Sequence, residues 1–303
     1  MKKSAGLILL LAFLFWSESA RASREDESSG ATAEKVPIDI FETQTGYVFE
    51  SDLNHGGSFG KQDELQNEFE YGHRFLLNGN LYLHLGAAYD RLDFGSTRAP
   101  VPDHLQKMAG VIGIDYMHGK DLGAFLQFRP GFYTEDSIGP DSFDCPILIG
   151  RFFVLQPEKL YVLTAAYASF LRGGFPVIPL VGVVWIPSEK IRLMGVLPEP
   201  RLIYSVSKQL DLWVGGQLVG GAFRTDHHPE FDDIRHVEKL SGTQVDYYDY
   251  RAGVGATYSL TDQIDLDLGG GCSIQRSFNF HRAGEYYRTD PAPYVRFEIK
   301  AKF

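Results

Sequence analysis

The chain has 303 residues, 44% of them hydrophobic, and its 29 basic and 39 acidic side chains give a net charge of −10 at pH 7. This excess of negative charge argues against a nucleic-acid partner, because phosphate binding requires clustered basic residues. Only two cysteines are present, Cys145 and Cys272, which excludes a fold held together by a disulfide framework.

The first 22 residues have the pattern of a secretory signal peptide. Two lysines precede an apolar run over residues 5–16, and a small-residue cleavage motif ends at Ala22. A membrane-spanning helix needs about 20 apolar residues, so this run is too short to be an anchor. We predict a signal peptide over 1–22, followed by a polar periplasmic leader over 23–36 that is expected to be mobile.

Residues 37–303 are predicted to form a single all-β domain, because apolar and polar residues alternate along segment after segment. The longest apolar run after the signal peptide, VIPLVGVVWI over 177–186, contains a proline and cannot span a membrane as a helix. If the protein lies in a membrane, a closed β-barrel is the only other spanning structure in which all backbone N–H and C=O groups are hydrogen-bonded.

Turn signals give the number of strands. Six short turns, near residues 79, 119, 157, 188, 208 and 261, alternate with seven opposite links and therefore join fourteen strands. The segments 191–197 and 201–207 are shorter than the roughly 9 to 11 residues of a tilted spanning strand. The prediction is a single closed antiparallel transmembrane β-barrel of about 14 strands, with about 12 as the alternative if that pair does not span.

The last segment has the clearest alternation. In YVRFEIKAKF, residues 294–303, one face is apolar and the other carries charges. This segment resembles the C-terminal signal of bacterial outer-membrane proteins, and the alternation extends the resemblance over about residues 37–303. The resemblance implies a location in the bacterial outer membrane, contact with its lipid, and recognition by the barrel-assembly machinery. The residues that match the signal are Tyr294, Phe297, Ile299, Ala301 and Phe303.

In such a barrel the apolar face meets lipid and the polar face lines the interior, whereas a soluble β-protein would pack its apolar face as a core. Charges inside the barrel either line a water-filled path or pair and plug it. The predicted lumen-facing residues are Glu68, Glu70, Arg74, Asp115, Arg129, Arg251, Asp265, Asp267, Arg296, Glu298, Lys300 and Lys302.

Aromatic residues cluster near the predicted strand ends, where interfacial girdles are expected. They are Tyr89, Tyr116, Phe132, Tyr248, Tyr258 and Phe303.

The segment 225–242, TDHHPEFDDIRHVEKLSG, is the most ligand-like stretch, since imidazole and carboxylate groups together can hold a divalent cation. Its spacing matches no rigid site and a solvated loop explains it equally well, so neither a metal nor a cofactor is predicted. The motifs H-E-x-x-H and G-x-x-x-x-G-K do not occur in the sequence. No enzymatic activity is therefore expected.

Three functions fit this pattern. The leading one is a porin-like channel or transporter for passive passage of small solutes, based on the charged and glycine-rich inward faces. The second is a closed structural barrel that binds a partner through its extracellular loops, above all the acidic loop near Asp232. The third is transport of hydrophobic compounds, for which the apolar run over 177–186 is the motivating feature.

Overall fold

The computed structural model describes residues 38–118, 121–228 and 240–303. The predicted signal peptide and leader lie outside these residues. Within the described ranges, no helix has the length and apolar character needed to cross a membrane.

Fourteen β-strands make up almost the whole of the described chain, with one short 3-10 turn at Pro140–Ser142. Three of the strands consist of two segments. The strands are β1 (Asp39–Asn54), β2 (Ser58–Asn78), β3 (Leu81–Phe94), β4 (His104–His118), β5 (Asp121–Phe128 and Gly131–Thr134), β6 (Phe143–Asp144 and Ile147–Gln156), β7 (Leu160–Ala168), β8 (Val177–Ser188), β9 (Ile191–Gly195), β10 (Arg201–Ser205), β11 (Leu210–Arg224), β12 (Gln244–Ser259), β13 (Ile264–Phe280) and β14 (Glu285–Thr289 and Ala292–Lys302).

Each strand pairs antiparallel with the next, and β14 pairs with β1, so the sheet closes into a barrel. At the closing seam Phe41 lies opposite Ala301, and the Ile38 N–H donates to the Phe303 carbonyl oxygen at 2.7 Å. The predicted fold class and the count of fourteen are confirmed. Although β9 and β10 have only five residues each, both are paired on their two edges, so the twelve-strand alternative is wrong.

Strand length divides the barrel into two sides. β1–β4 and β11–β13 have 14 to 21 residues each, whereas β7–β10 have 5 to 12. We call β1–β4 together with β11–β14 the tall wall, and β6–β10 the low wall. At the end of the barrel opposite Ile38 and Phe303, Arg224 of β11 pairs parallel with Thr134 of β5, and the Glu135 N–H donates to the Arg224 carbonyl oxygen at 3.0 Å. Past the ends of the short low-wall strands, β5 and β11 of the tall wall are therefore in direct contact.

Apolar side chains cover the outside of both walls. Phe69 and Leu268 of the tall wall and Ile149 and Val181 of the low wall are all exposed, the last to 68%. On β14 the exposed Val295 and Phe297 alternate with buried polar residues. Large apolar side chains turned outward in this number fit a lipid environment and exclude a soluble barrel with a purely apolar core.

One predicted girdle residue is buried instead of exposed. Tyr248, predicted in an aromatic girdle, is covered because the Arg172 guanidinium from the β7–β8 loop lies over its ring at 5.7 Å. Leu218 of β11 is also buried, and its N–H donates to the Pro198 carbonyl oxygen of loop 196–200. Of the other predicted girdle residues, Tyr116, Tyr258 and Phe303 are exposed, and Tyr89 and Phe132 are half-buried.

Candidate functional site

Charged side chains of the barrel pair with strands that are not their sheet neighbours. Arg129 of β5 donates two hydrogen bonds to the Glu70 carboxylate of β2, at 2.8 and 3.0 Å. Arg251 of β12 likewise reaches Glu64 of β2 at 2.8 Å. Since β2 neighbours neither β5 nor β12 in the sheet, these contacts run through the interior of the barrel.

The largest group of ion pairs is centred on Arg296 of β14. Its guanidinium lies 2.6 Å from a Glu199 oxygen and 2.7 Å from an Asp267 oxygen. Arg201 pairs with the same two carboxylates, at 2.5 and 3.1 Å, and its guanidinium lies over the Trp213 ring at 4.4 Å. The Trp213 indole N–H also donates to Asp267 at 2.8 Å. The group satisfies its charges mutually, as buried ions require.

Further pairs extend the network along the tall wall. Arg74 pairs with Asp115 at 3.0 Å, and Lys300 pairs with Glu42 at 3.2 Å and with Glu298 at 2.9 Å. Such compensation keeps charges inside the barrel without the full cost of desolvation.

The predicted lumen-facing residues are placed as follows. Glu70, Arg74, Asp115, Arg129, Arg251, Asp267, Arg296 and Glu298 are buried. Glu68, Asp265, Lys300 and Lys302 are partly exposed. The structure brings Glu70 to Arg129, Arg74 to Asp115 and Asp267 to Arg296, and these pairs leave most of the charged interior closed to solvent. A role of these residues in a solute pathway stays a prediction.

The residues matching the C-terminal signal divide between the two faces of β14. Phe297 and Phe303 are exposed and Ile299 is half-buried, whereas Tyr294 and Ala301 are buried. Tyr294 lies inside, with the Arg251 guanidinium over its ring at 5.3 Å. Recognition of this strand by the assembly machinery stays a prediction.

The interior of the low wall is largely apolar, although Arg201 at the start of β10 belongs to the group of ion pairs around Arg296. Leu163 of β7, Leu180 and Val184 of β8, Met194 of β9 and Ile203 of β10 are buried in one cluster. The same cluster includes Leu122 and Phe125 of β5 and Leu148 of β6. Apolar side chains therefore predominate on both faces of the low wall.

An interior cavity of about 90 Å³ lies between this apolar cluster and the charged side chains of the tall wall. The charged lining residues are Glu42, Glu68, Glu70, Asp90, Lys107, Arg129 and Glu199. The amide lining residues are Gln44, Gln66, Gln127 and Gln217. The apolar lining residues are Leu92, Leu122, Phe125, Leu148, Phe152, Pro198, Leu218, Val219 and Phe223. The cavity thus has one polar side and one apolar side.

Several of these interior residues are not among the predicted lumen-facing residues. Glu64 shares the two-residue alternation of Glu68 and Glu70, and Glu42 and Gln44 have the same relation on β1, so an extended alternation rule finds them. Glu199 lies in the short loop 196–200 between two prolines, and no period in the sequence indicates that this loop reaches the interior.

The predicted ligand-like segment 225–242 is described only at its ends. Residues 229–239 lie outside the described ranges. Asp226 accepts the Ser137 N–H at 3.0 Å, and the His228 Nε2 lies 2.9 Å from a Glu135 oxygen. In the described part of the chain, no group of three or more histidine, cysteine or carboxylate side chains is placed to hold a metal ion.

A closed antiparallel barrel with an apolar exterior and an ion-paired interior is the architecture of transmembrane β-barrels of the bacterial outer membrane, and this chain is one of them. No protein-family model and no curated protein matches the sequence. Among solved structures, it is similar to the COG4313 outer membrane channel from Pseudomonas putida F1, with 11% identity, a TM-score of 0.45, and coverage of 91% of this chain and 100% of that one.

Two further structures show a comparable similarity. A deltaS2 mutant of the monoaromatic hydrocarbon channel TodX has 7% identity and a TM-score of 0.45, covering 89% of this chain and 91% of that one. The translocator domain of the autotransporter NalP from Neisseria meningitidis has 9% identity and a TM-score of 0.36, covering 90% of each chain. These likenesses are distant, so the assignment to the outer-membrane class rests on the barrel and its exterior.

Proposed function

We propose that the barrel is a passive transporter of small solutes, and that the solutes pass through the interior cavity rather than through a wide open pore. The cavity is the observation that supports this proposal, because it is the space between the charged network and the apolar cluster. Its apolar side favours solutes that have an apolar part.

The burial of the charged residues argues for a narrow route. Arg74, Arg251 and Arg296 are only 2 to 3% exposed. Side chains lining a wide water-filled lumen would be in contact with solvent, as in the porins. Purified protein in planar bilayers is accordingly expected to show little steady ion conductance, while small solutes still enter proteoliposomes.

Filling the cavity tests the route. Leu148 is buried and lines the cavity, whereas its neighbour Ile149 points to the outside and is exposed. Leu148→Trp is expected to slow solute entry in a liposome-swelling assay by about tenfold, because the ring occupies the cavity. Ile149→Trp is the matched control and is expected to leave the rate unchanged.

Both variants are first checked for the gel shift between heated and unheated protein that a closed barrel gives. Solute entry equal to that of protein-free liposomes for the unmodified protein would rule out the transport proposal. Equal rates for the unmodified protein and a folded Leu148→Trp variant would rule out this route.

A further inference from the structure

We propose that the cavity is a binding site for small organic cations, namely amines with an apolar body, and that the Glu68 carboxylate is their counter-ion. The proposal deepens the proposed function, since it names the class of solute that the transporter would carry. It is based on the charges, the unpaired amides and the apolar surface that meet in this cavity.

The first observation is an uncompensated carboxylate. The cavity is lined by five carboxylates but only two cationic side chains, Lys107 and Arg129. Four of the carboxylates have cationic partners, which are Arg129 for Glu70, Lys107 for Asp90, Lys300 for Glu42, and both Arg201 and Arg296 for Glu199. Among the described residues, the Glu68 carboxylate has neither an ion pair nor a hydrogen bond. Glu68 is therefore the carboxylate of the cavity that has no paired cation among the described residues.

The second observation is a pair of buried amides with unused hydrogen-bonding capacity. Gln44 and Gln127 line the cavity and are 3% and 4% exposed. Their oxygens are fixed by arginine donors, at 3.0 Å from Arg296 and 3.1 Å from Arg129. The orientation of each amide follows, because an arginine only donates. Within the described chain both NH₂ groups lack an acceptor.

Buried polar groups are normally hydrogen-bonded, so these amides indicate a molecule that occupies the space in front of them. The Asp90 Oδ1 atom, also without a partner in the described ranges, adds an acceptor for a donor group of that molecule. An ammonium group supplies hydrogen-bond donors and a cationic partner for Glu68 together. A hydroxyl or carbonyl oxygen on the same molecule is a suitable acceptor for the amides.

The apolar side of the cavity defines the rest of the ligand. The Phe125 and Phe152 rings, 6.3 Å apart, lie there with Leu122 and Leu148. An apolar body gains from contact with these side chains, and aromatic faces also attract cations. An anion would meet an excess of carboxylates, and a hydrocarbon would leave Glu68 without a partner.

The test uses three probes of nearly equal shape: 2-phenylethylamine, 2-phenylethanol and phenylacetate. Their binding to the purified full barrel in detergent is measured by calorimetry, with titrations into empty micelles subtracted. The amine is expected to bind at least about tenfold more tightly than the other two. Glu68→Gln is expected to remove this preference, whereas Glu50→Gln, on an exposed side chain of β1, leaves it intact.

Equal binding of the three probes, no binding of the amine, or an unchanged preference in a folded Glu68→Gln variant would overturn the inference. Entry of the same probes into proteoliposomes separates it from the proposed function. Amine binding without entry of any probe would contradict transport but support the site. Entry of all three at one rate without amine binding would support transport and contradict the site.

Discussion

The tall wall and the low wall differ in what their inward faces carry. In the tall wall, Arg251 and Arg296 are buried among carboxylates from several strands. In the low wall, Leu163, Leu180 and Ile203 belong to one apolar cluster, and Arg201 at the start of β10 joins the ion pairs of the tall wall. Both walls have apolar outward faces, so lipid contact is common to the two, and beyond strand length they differ in their interiors.

This difference indicates that the alternation rule for transmembrane barrels describes the outside better than the inside. Lipid excludes charge from every outward position, whereas an inward position accepts either a paired ion or a packed apolar side chain. The cavity lies where the two kinds of interior meet, which gives it one polar and one apolar side.

The largest expected effect comes from removing a cation of the tall wall. Arg296→Ala leaves Glu199 and Asp267 with less compensating charge in a buried site. The free energy of unfolding, measured by urea titration in lipid vesicles, is expected to fall by about 3–5 kcal/mol. Arg288→Ala, at an exposed position of the same wall, is the control and is expected to change it by less than about 0.5 kcal/mol. A similar small effect for both would mean that ion pairs do not hold the tall wall.

A charge on the outside of the low wall is expected to have the next largest effect. Val181 is 68% exposed on the lipid-facing side of β8. Val181→Lys is expected to lower the free energy of unfolding by about 2–4 kcal/mol for a position near the bilayer midplane, because the ammonium group must leave water. Ser188→Lys, at the end of the same strand, is expected to cost no more than about 1 kcal/mol. Equal costs in the vesicle unfolding assay would contradict the placement of the low wall in lipid.

The sequence predicts which face of most tall-wall strands meets lipid, but not which face of β8 in the low wall does, for one physical reason. Strands such as β14 are apolar on one face only, so a period of two reveals both their existence and their orientation. The run over 177–186 is apolar on both faces of β8, and a continuous apolar run carries no information about which side faces lipid.

The candidate site was predictable only in part for a related reason. Glu68, Glu70 and Arg129 follow from alternation, but the cavity also requires Glu199 from a loop and the side chains of β5 and β6. The residues that line the cavity come from strands and a loop that are far apart along the chain. They depend on the stagger of the whole barrel, which local patterns do not encode.

The smallest expected effect concerns the place where the two sides of the barrel meet above the low wall. There the backbone pairing of Thr134 with Arg224 is accompanied by the pair between His228 and Glu135. Because the His228 side chain is 27% exposed, water screens this pair. His228→Ala is therefore expected to lower the free energy of unfolding by no more than about 1 kcal/mol. His55→Ala, which removes a comparable pair with Glu285 at the end of the tall wall, is expected to have the same small effect. If His228→Ala lowered the free energy of unfolding by more than about 2 kcal/mol and His55→Ala did not, the side-chain contact, rather than the backbone pairing, would be what holds β5 to the tall wall.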